Sequence, residues 1–413
     1  MNEVIIIGAG AAGLAAGRRL YEAGWKVLLL EARERIGGRI WTDHRYGPVE
    51  LGAEFIHGAQ ATTWQYVQAA GLRTQAWGSD RRFARRGTML ATDDPCIALT
   101  YQFYEAVTTY AGPERSVADV MASLAEPDEP AAQMTLRWLT NLEGADPARL
   151  SATALAHERR TSTNGQGNFH LLDGYATLVT AIAAGLTIKT GAPVTKITWQ
   201  RGEAVVTLID GTQHVAPRVI ITVPLGVLQA GTITFTPELP ATKQAALERI
   251  AMGHVTKLVL WFDRQCWEPF TIMSTDGKIV TWWPVVSTTT PALMGYQGGA
   301  AALALAHMSE DQVLTLALNE LTSLFGNEVR QAWLGGQMSA WSNDPWSNGA
   351  YSYSPVGMGA ARAMLAAPVD DALYFAGEAC ATNGHLATVH GAIESGHQAA
   401  EAILANQGTE LIA

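Results

Sequence analysis

Three glycines and a carboxylate near the start of the chain could do chemistry together. Gly8-x-Gly10-x-x-Gly13 is followed, 18 residues after Gly13, by Glu31. Gly8 permits a tight turn and Gly10, with Ala12 beside it, lets backbone approach a pyrophosphate. Gly13 lets a helix pack on a strand, and the helix N-terminus supplies N–H groups and partial positive charge. Glu31 would accept hydrogen bonds from ribose hydroxyls and repel a 2′-phosphate, which disfavours NADP. Beyond it, Ala32, Arg33, Arg35 and Arg39 surround the pair Gly37-Gly38, so backbone N–H groups could reach a diphosphate while a guanidinium neutralises it. A second candidate group is Lys257 in Val255-Thr256-Lys257-Leu258-Val259-Leu260-Trp261. Period two puts it on one face with Val255, Val259 and Trp261, where desolvation would lower its pKa and hold it near a cofactor. Lys196, in the near-identical Val194-Thr195-Lys196-Ile197, adjoins a hairpin turn and reads as an edge lysine. Gly357-x-Gly359 lacks a third glycine and reads as a turn.

The elements around these residues must position them. Val4 to Ile7 reads as a strand buried on both faces, Ala11 to about Ala23 as a helix and Lys26 to Leu30 as a second buried strand, the opening of a βαβ unit. Residues 76–165 carry helical periodicity broken by Pro113, Pro127 and Pro130. Pro193 to Trp199, Ala204 to Ile209 and Val219 to Val223 read as an antiparallel meander with a turn at Asp210-Gly211. Later come a strand over Val255 to Phe262 and a helix over Ser309 to Phe325 opened by a Ser-x-x-Gln capping box. A strand over Leu373 to Ala376 and a helix from about Gly391 to Leu404 close the pattern. The expected fold is α/β: a Rossmann-like FAD-binding domain, a parallel sheet with helices plus the meander, beside an α+β substrate domain made of insertions. The nucleotide domain takes 1–75, 166–238 and 355–413, and the other takes 76–165 (helical) and 239–354.

Three distant strings carry a resemblance. Glu31 to Arg39 resembles the second diphosphate motif of the flavin amine oxidases. Phe375-Ala376-Gly377-Glu378 with Ala387-Thr388-Val389-His390-Gly391-Ala392 resembles their closing FAD motif. Trp341 to Tyr353 resembles their segment that places an aromatic wall beside the flavin. The resemblance spans nearly the whole chain and is closest to polyamine oxidases. It implies FAD, held non-covalently because Ala350 stands where membrane-type monoamine oxidases have the flavin-linked cysteine. It further implies contacts from Gly52, Ala53, Glu54, Val194, Gly377, Glu378, Thr388 and Val389, with Glu378 near the ribityl or phosphate region and the helix at Val389 facing the ring. Lys257 would hold a water at flavin N5 and Tyr351 would restrict the amine's approach, whereas Thr388 falls where a second ring stands in monoamine oxidases. Glu54 and His57, in Glu50 to Gly58, would meet the amine at the entrance, with a structural histidine as the alternative for His57. Glu158 is a further candidate, with a solvated helix face as its alternative. The implied reaction takes a primary or secondary amine, polyamine or monoamine, to the imine by hydride transfer to the flavin. O₂ then gives H₂O₂, and water gives the aldehyde.

Arg81, Arg82, Arg85 and Arg86 admit two readings, a clamp for a substrate carboxylate, which would point to an L-amino-acid oxidase, or a solvated hairpin. A desaturase on the same fold, or a flavoprotein that binds another protein, are further alternatives. Composition narrows the classes. Of 413 residues, 48% are hydrophobic and 16% charged, which excludes a disordered chain, and Lys+Arg 28 against Asp+Glu 38 leaves −10, a poor match for nucleic acid. Cys96, Cys266 and Cys380 are odd in number and lack a C-x-x-C pair, so neither a disulfide framework nor a metal site is expected and a reducing, cytoplasmic setting fits best. From Met1 onward no leader pattern is read, no apolar stretch reaches about 20 residues, and the end, Asn406 to Glu410, reads as a polar tail. The expected partners are a small amine and O₂, with no nucleic acid and no membrane; the oligomeric state stays open.

Overall fold

The computed structural model describes residues 2–410, so Met1, where the leader argument begins, lies outside them. A parallel sheet of five strands runs in the order Thr187–Lys189, Val27–Leu30, Val4–Ile7, Arg218–Ile221, Leu373–Phe375. Every residue of its three central strands is buried, one face against helices and the other against the meander and short helices. Each Ile or Val so buried contributes roughly 1.5–3 kcal/mol. Helix Ala11–Glu22 crosses one face and packs along the closing helix Val389–Glu410. Since the chain leaves the central strand Val4–Ile7 toward neighbours on opposite sides, the crevice at the strands' carboxyl ends is where a dinucleotide belongs.

Two details differ from the sequence expectation. The stretch assigned to the meander's third strand is a central strand of the parallel sheet, Arg218–Ile221, because its four residues are buried on both faces. The meander is instead Val194–Gln200, Glu203–Leu208 and Gln213–Ala216, with Thr234–Thr236 added in parallel. The polar end at Asn406 continues the closing helix.

A seven-stranded sheet forms the second layer, in the order Trp333–Ala340, Val255–Phe262, Ala292–Gly298, Thr281–Pro284, Ile272–Thr275, Arg81–Arg85, Thr88–Met89. Two of its strands come from the stretch read as helical: Arg81–Arg85 joins Ile272–Thr275 in parallel, and Thr88–Met89 closes a hairpin. The helices Pro95–Thr108, Val117–Ala122, Pro130–Glu143 and Ala152–Thr161 pack beside this sheet around Val107, Met121, Leu139 and Leu155. Helix Glu310–Phe325 opens with the expected capping box, Ser309 and Gln312 exchanging both bonds. Among the described residues no helix is long and apolar enough to cross a membrane.

Candidate active site

One cavity of about 780 Å³ runs from the carboxyl ends of the parallel strands to the face of the seven-stranded sheet. Its first half is bare backbone. Gly8 has φ +103°, and a Cβ on Gly13 would stand 2.0 Å from the Gly8 carbonyl oxygen, whereas one on Gly10 meets nothing nearer than 3.9 Å. Gly13 is therefore the packing glycine and stays off the cavity wall, while Gly8, Gly10 and Ala12 line it. Gly10 caps its helix with no side chain, leaving the first-turn N–H groups for a ligand. Gly37 bridges to Gly10, so two glycine turns meet back to back. Glu31 is buried, its carboxylate accepting from the N–H groups of Ala9 at 2.8 Å and Arg33 at 2.9 Å, with lone pairs to spare on both oxygens. A side-chain-free wall, an uncapped helix end and a fixed carboxylate fit the adenosine diphosphate half of FAD.

The arginines depart from expectation. Arg33 is held by both Asp344 oxygens, at 2.9 and 2.7 Å, and Arg35 by the carbonyls of Ile36, Gly38 and Ile40. Burial lowers Arg35 to about 10. Arg39 donates to the Ala350 carbonyl and to Glu378 at 2.9 Å. Each guanidinium thus has a protein partner that fixes its position, and Arg33 and Arg39 still line the cavity, Arg39 with only its Nη1 engaged. Glu378, although burial alone would raise it, is held below the ordinary carboxylate range by Arg39 and Arg362. A relay of bonds continues from it: Ser352 donates to Glu378, Arg362 donates to Ser352 and Ser354, and Ser354 donates to Glu158. Ala32, Gly52, Ala53, Val194, Gly377, Thr388 and Val389 all line the same cavity. Thr388 caps the closing helix, accepting from the Gly391 N–H at 3.0 Å, which gives its hydroxyl a local partner.

In the second half Lys257 sits 3% exposed in a strand whose eight residues are all buried. Its ammonium donates to the carbonyls of Glu50 at 2.6 Å and Gly52 at 3.1 Å and to Glu54 at 2.6 Å, which accounts for all three protons. Glu54 is thereby a buried partner of Lys257, its other oxygen taken by the Trp283 indole at 2.8 Å; an entrance position is replaced by this ion pair. Glu50, pushed up to about 7 by burial, accepts from Tyr175 and Thr42 behind it. Tyr351 donates to the Leu142 carbonyl and shares a 2.6 Å bond with Tyr296, and burial raises both phenols. His57 opens on the cavity, its Nδ1 bonded to Asn168 Oδ1 at 2.7 Å, and burial keeps its pKa below the usual value. Nδ1 then carries the proton and Nε2 is the ring's acceptor.

Glu158 also faces the cavity rather than solvent, and burial pushes it up to about 7. Beside it stands Glu143, which sequence reasoning missed, raised to about 7 by burial and by Glu158 and opposed by Arg159. One signal pointed to it: a carboxylate in the last turn of helix Pro130–Glu143 opposes the helix dipole and needs another reason to be there. Tyr296 and Asn168 had no such signal, whereas the pair Trp282-Trp283 could be read as lining an amine channel, and Trp283 does line the cavity. The arginine cluster divides: Arg82 pairs with exposed Asp80, whereas Arg81 turns into the cavity.

Nucleotide cradle and enclosed aromatic chamber in one cavity define a dinucleotide-dependent oxidoreductase. The family model described as flavin containing amine oxidoreductase matches residues 11–95 and 100–404. Polyamine oxidase 4 of Oryza sativa subsp. japonica is 31% identical over 433 residues, covering 97% of this chain and 88% of that protein. Lysine-specific histone demethylase 2 of Homo sapiens is 30% identical over 98% of this chain but 53% of its own length. Among solved structures, cyclohexylamine oxidase from Brevibacterium oxydans IH-35A superposes with TM-score 0.84 at 22% identity, covering 98% of this chain and 99% of that one. Putrescine oxidase bound to putrescine gives 0.83 at 20%, over 98% and 99%. The chain belongs to the flavin-containing amine oxidoreductases, and it is an FAD-dependent enzyme acting on amines.

Proposed function

We propose that this enzyme oxidises a primary or secondary amine carrying a second cationic group, in the manner of the polyamine oxidases it resembles. The observation that carries this is the pair Glu143 and Glu158, two half-buried acids on the wall of the chamber that holds Lys257 and Tyr351. Bound FAD supplies the redox chemistry, taking up the hydrogen and electron pair from the carbon next to nitrogen and passing the electrons to O₂. The turn Gly8 to Gly13, Glu31, Gly37-Gly38, Arg39, Glu378 and the helix at Val389 would hold it, without a covalent link since Ala350 offers no thiol. The His57 acceptor nitrogen would take a hydrogen bond from an N–H of the amine and so orient it. Tyr351, tied to Tyr296, restricts the approach, and the Glu143–Glu158 pair keeps the distal ammonium. Lys257 is a fixed charge locked by Glu54; to hold a water it would release its longest bond, to the Gly52 carbonyl at 3.1 Å. Division into nucleotide and substrate halves at the sequence-derived boundaries is part of the same reading. So is a cytoplasmic setting without nucleic-acid partners, supported by the net charge of −10 and three free cysteines.

Anaerobic mixing of the holoenzyme with spermine, a monoamine and an α-amino acid tests it. The yellow flavin should bleach with the first two, faster with spermine. Bleaching by the amino acid alone would overturn the proposal.

A further inference from the structure

Among the described residues, Arg81 is a cation on the cavity wall without a counter-charge. Its Nη1 is buried and makes no hydrogen bond, and its guanidinium lies 4.6 Å from the centre of the Trp138 ring. Trp138 in turn stacks on Tyr104, at 4.3 Å, and Tyr104 carries Arg159 on its other side. Arg159 is satisfied by Thr108 and the Tyr104 hydroxyl, and it faces Glu143. Arg81 has only phenols, Tyr101 and Tyr104, in its electrostatic surroundings. A buried charged donor without an acceptor is destabilising, so a ligand that supplies the missing acceptor gains affinity.

Its place in the sheet says what the rest of that ligand looks like. Arg81 pairs with Ile272 and Lys257 with Tyr296, and these side chains, with Thr281 and Trp283, line one cavity floor. Between the Lys257 and Arg81 strands lie four strand spacings, about 19 Å along the sheet. Helix Pro130–Glu143 roofs the same space: Glu143 belongs with Tyr351 and Tyr296, and Trp138, about 7.5 Å earlier along the helix, lies under Arg81. From the Lys257 end the cavity therefore offers an acidic position and then a cationic one. An α-amino acid, whose charges sit on one carbon, cannot use both ends.

We propose that Arg81 is an anion subsite, and that the enzyme takes elongated amines bearing a carboxylate at the end opposite the oxidised nitrogen. The assignment rests on the amine-oxidation reading and adds, to amines with a second cation, elongated amines that end in a carboxylate. The carboxylate would take the free Nη1 donor over the Trp138 face.

Two measurements on the holoenzyme test this. In anaerobic flavin bleaching, ω-aminododecanoate should half-saturate at a concentration roughly tenfold or more below dodecylamine. ω-Aminohexanoate, too short to span, should show no such gain over hexylamine. Arg81→Met should erase the gain, Arg81→Lys should restore part of it, and Arg82→Met, which removes an exposed neighbour, should leave it intact. Separately, dodecanoate, which has no amine to oxidise, should perturb the visible flavin spectrum or protect against dodecylamine, with an affinity lost in Arg81→Met at unchanged FAD content. Equal half-saturation by ω-aminododecanoate and dodecylamine, or dodecanoate binding unmoved by Arg81→Met, would overturn the assignment. If no amine bleached the flavin, the amine reading itself would fail, and the dodecanoate titration would still decide whether Arg81 holds an anion.

Discussion

Strands Val194–Gln200 and Val255–Phe262 begin with nearly the same letters, Val-Thr-Lys-Ile and Val-Thr-Lys-Leu, and their lysines end in opposite surroundings. Lys196 is exposed; Lys257 is 3% exposed. In the first strand the register shifts between Val194 and Lys196, so two residues that should share a face do not, and the lysine swings to solvent while Val194 meets the cavity. The second strand is paired on both edges and covered on both faces, so its lysine has no outward direction. What makes that tolerable is Glu54, 203 residues earlier in the chain. A short sequence therefore states that a lysine can be placed, and distant partners decide where.

The largest expected effect breaks the buried side of this pair. Lys257→Met strands Glu54 without its ammonium counter-charge, at a cost of about 3–5 kcal/mol in unfolding free energy, and slows flavin reduction or reoxidation roughly a hundredfold. Adding Glu54→Gln should recover much of the stability and none of the rate. Recovery of both would mean that Lys257 acts only by balancing charge. Rapid mixing and thermal unfolding of the two variants separate these outcomes.

A smaller effect sharpens what burial does to charge in the same chamber. Burial pushes Glu143 and Glu158 up to about 7, so they are largely neutral below that pH and ionised above it. The wild-type KM for a diamine should accordingly fall as pH rises from below to above about 7, while the diamine itself stays protonated. Glu143→Gln with Glu158→Gln should raise that KM roughly tenfold and flatten its pH profile, leaving a monoamine's KM nearly unchanged. A profile that keeps its slope in the double variant would assign the titration elsewhere. Smallest of all is Lys196→Met, expected to stay within about 0.5 kcal/mol in unfolding and to leave both half-reactions untouched.

Much of the nucleotide half was legible because its physics is local. Gly8, Gly10 and Gly13 each answer a steric demand within one strand–turn–helix, and Glu31 follows at the end of the next strand. The capping box at Ser309 was readable for the same reason. The ion pair of Arg33 was not legible, because its partner, Asp344, lies 311 residues away and nothing beside Arg33 announces it. Residues 218–221 were assigned to the wrong sheet since a short apolar run does not say which strands flank it. In the substrate half, Tyr296 and Asn168 owe their positions to pairings between distant strands, whereas Glu143 left a mark of its own, by standing where a helix dipole disfavours it.

The parallel sheet has a further consequence, for how the protein is made. Its first strand begins at Val4 and its last at Leu373, with the helix from Val389 lying on the helix from Ala11. Nearly the whole chain must leave the ribosome before that edge can close, so a nascent or C-terminally clipped polypeptide lacks one wall of the nucleotide crevice. Prosthetic-group uptake is then a late event in biogenesis, and such long-range closure belongs to the slow end of folding rates.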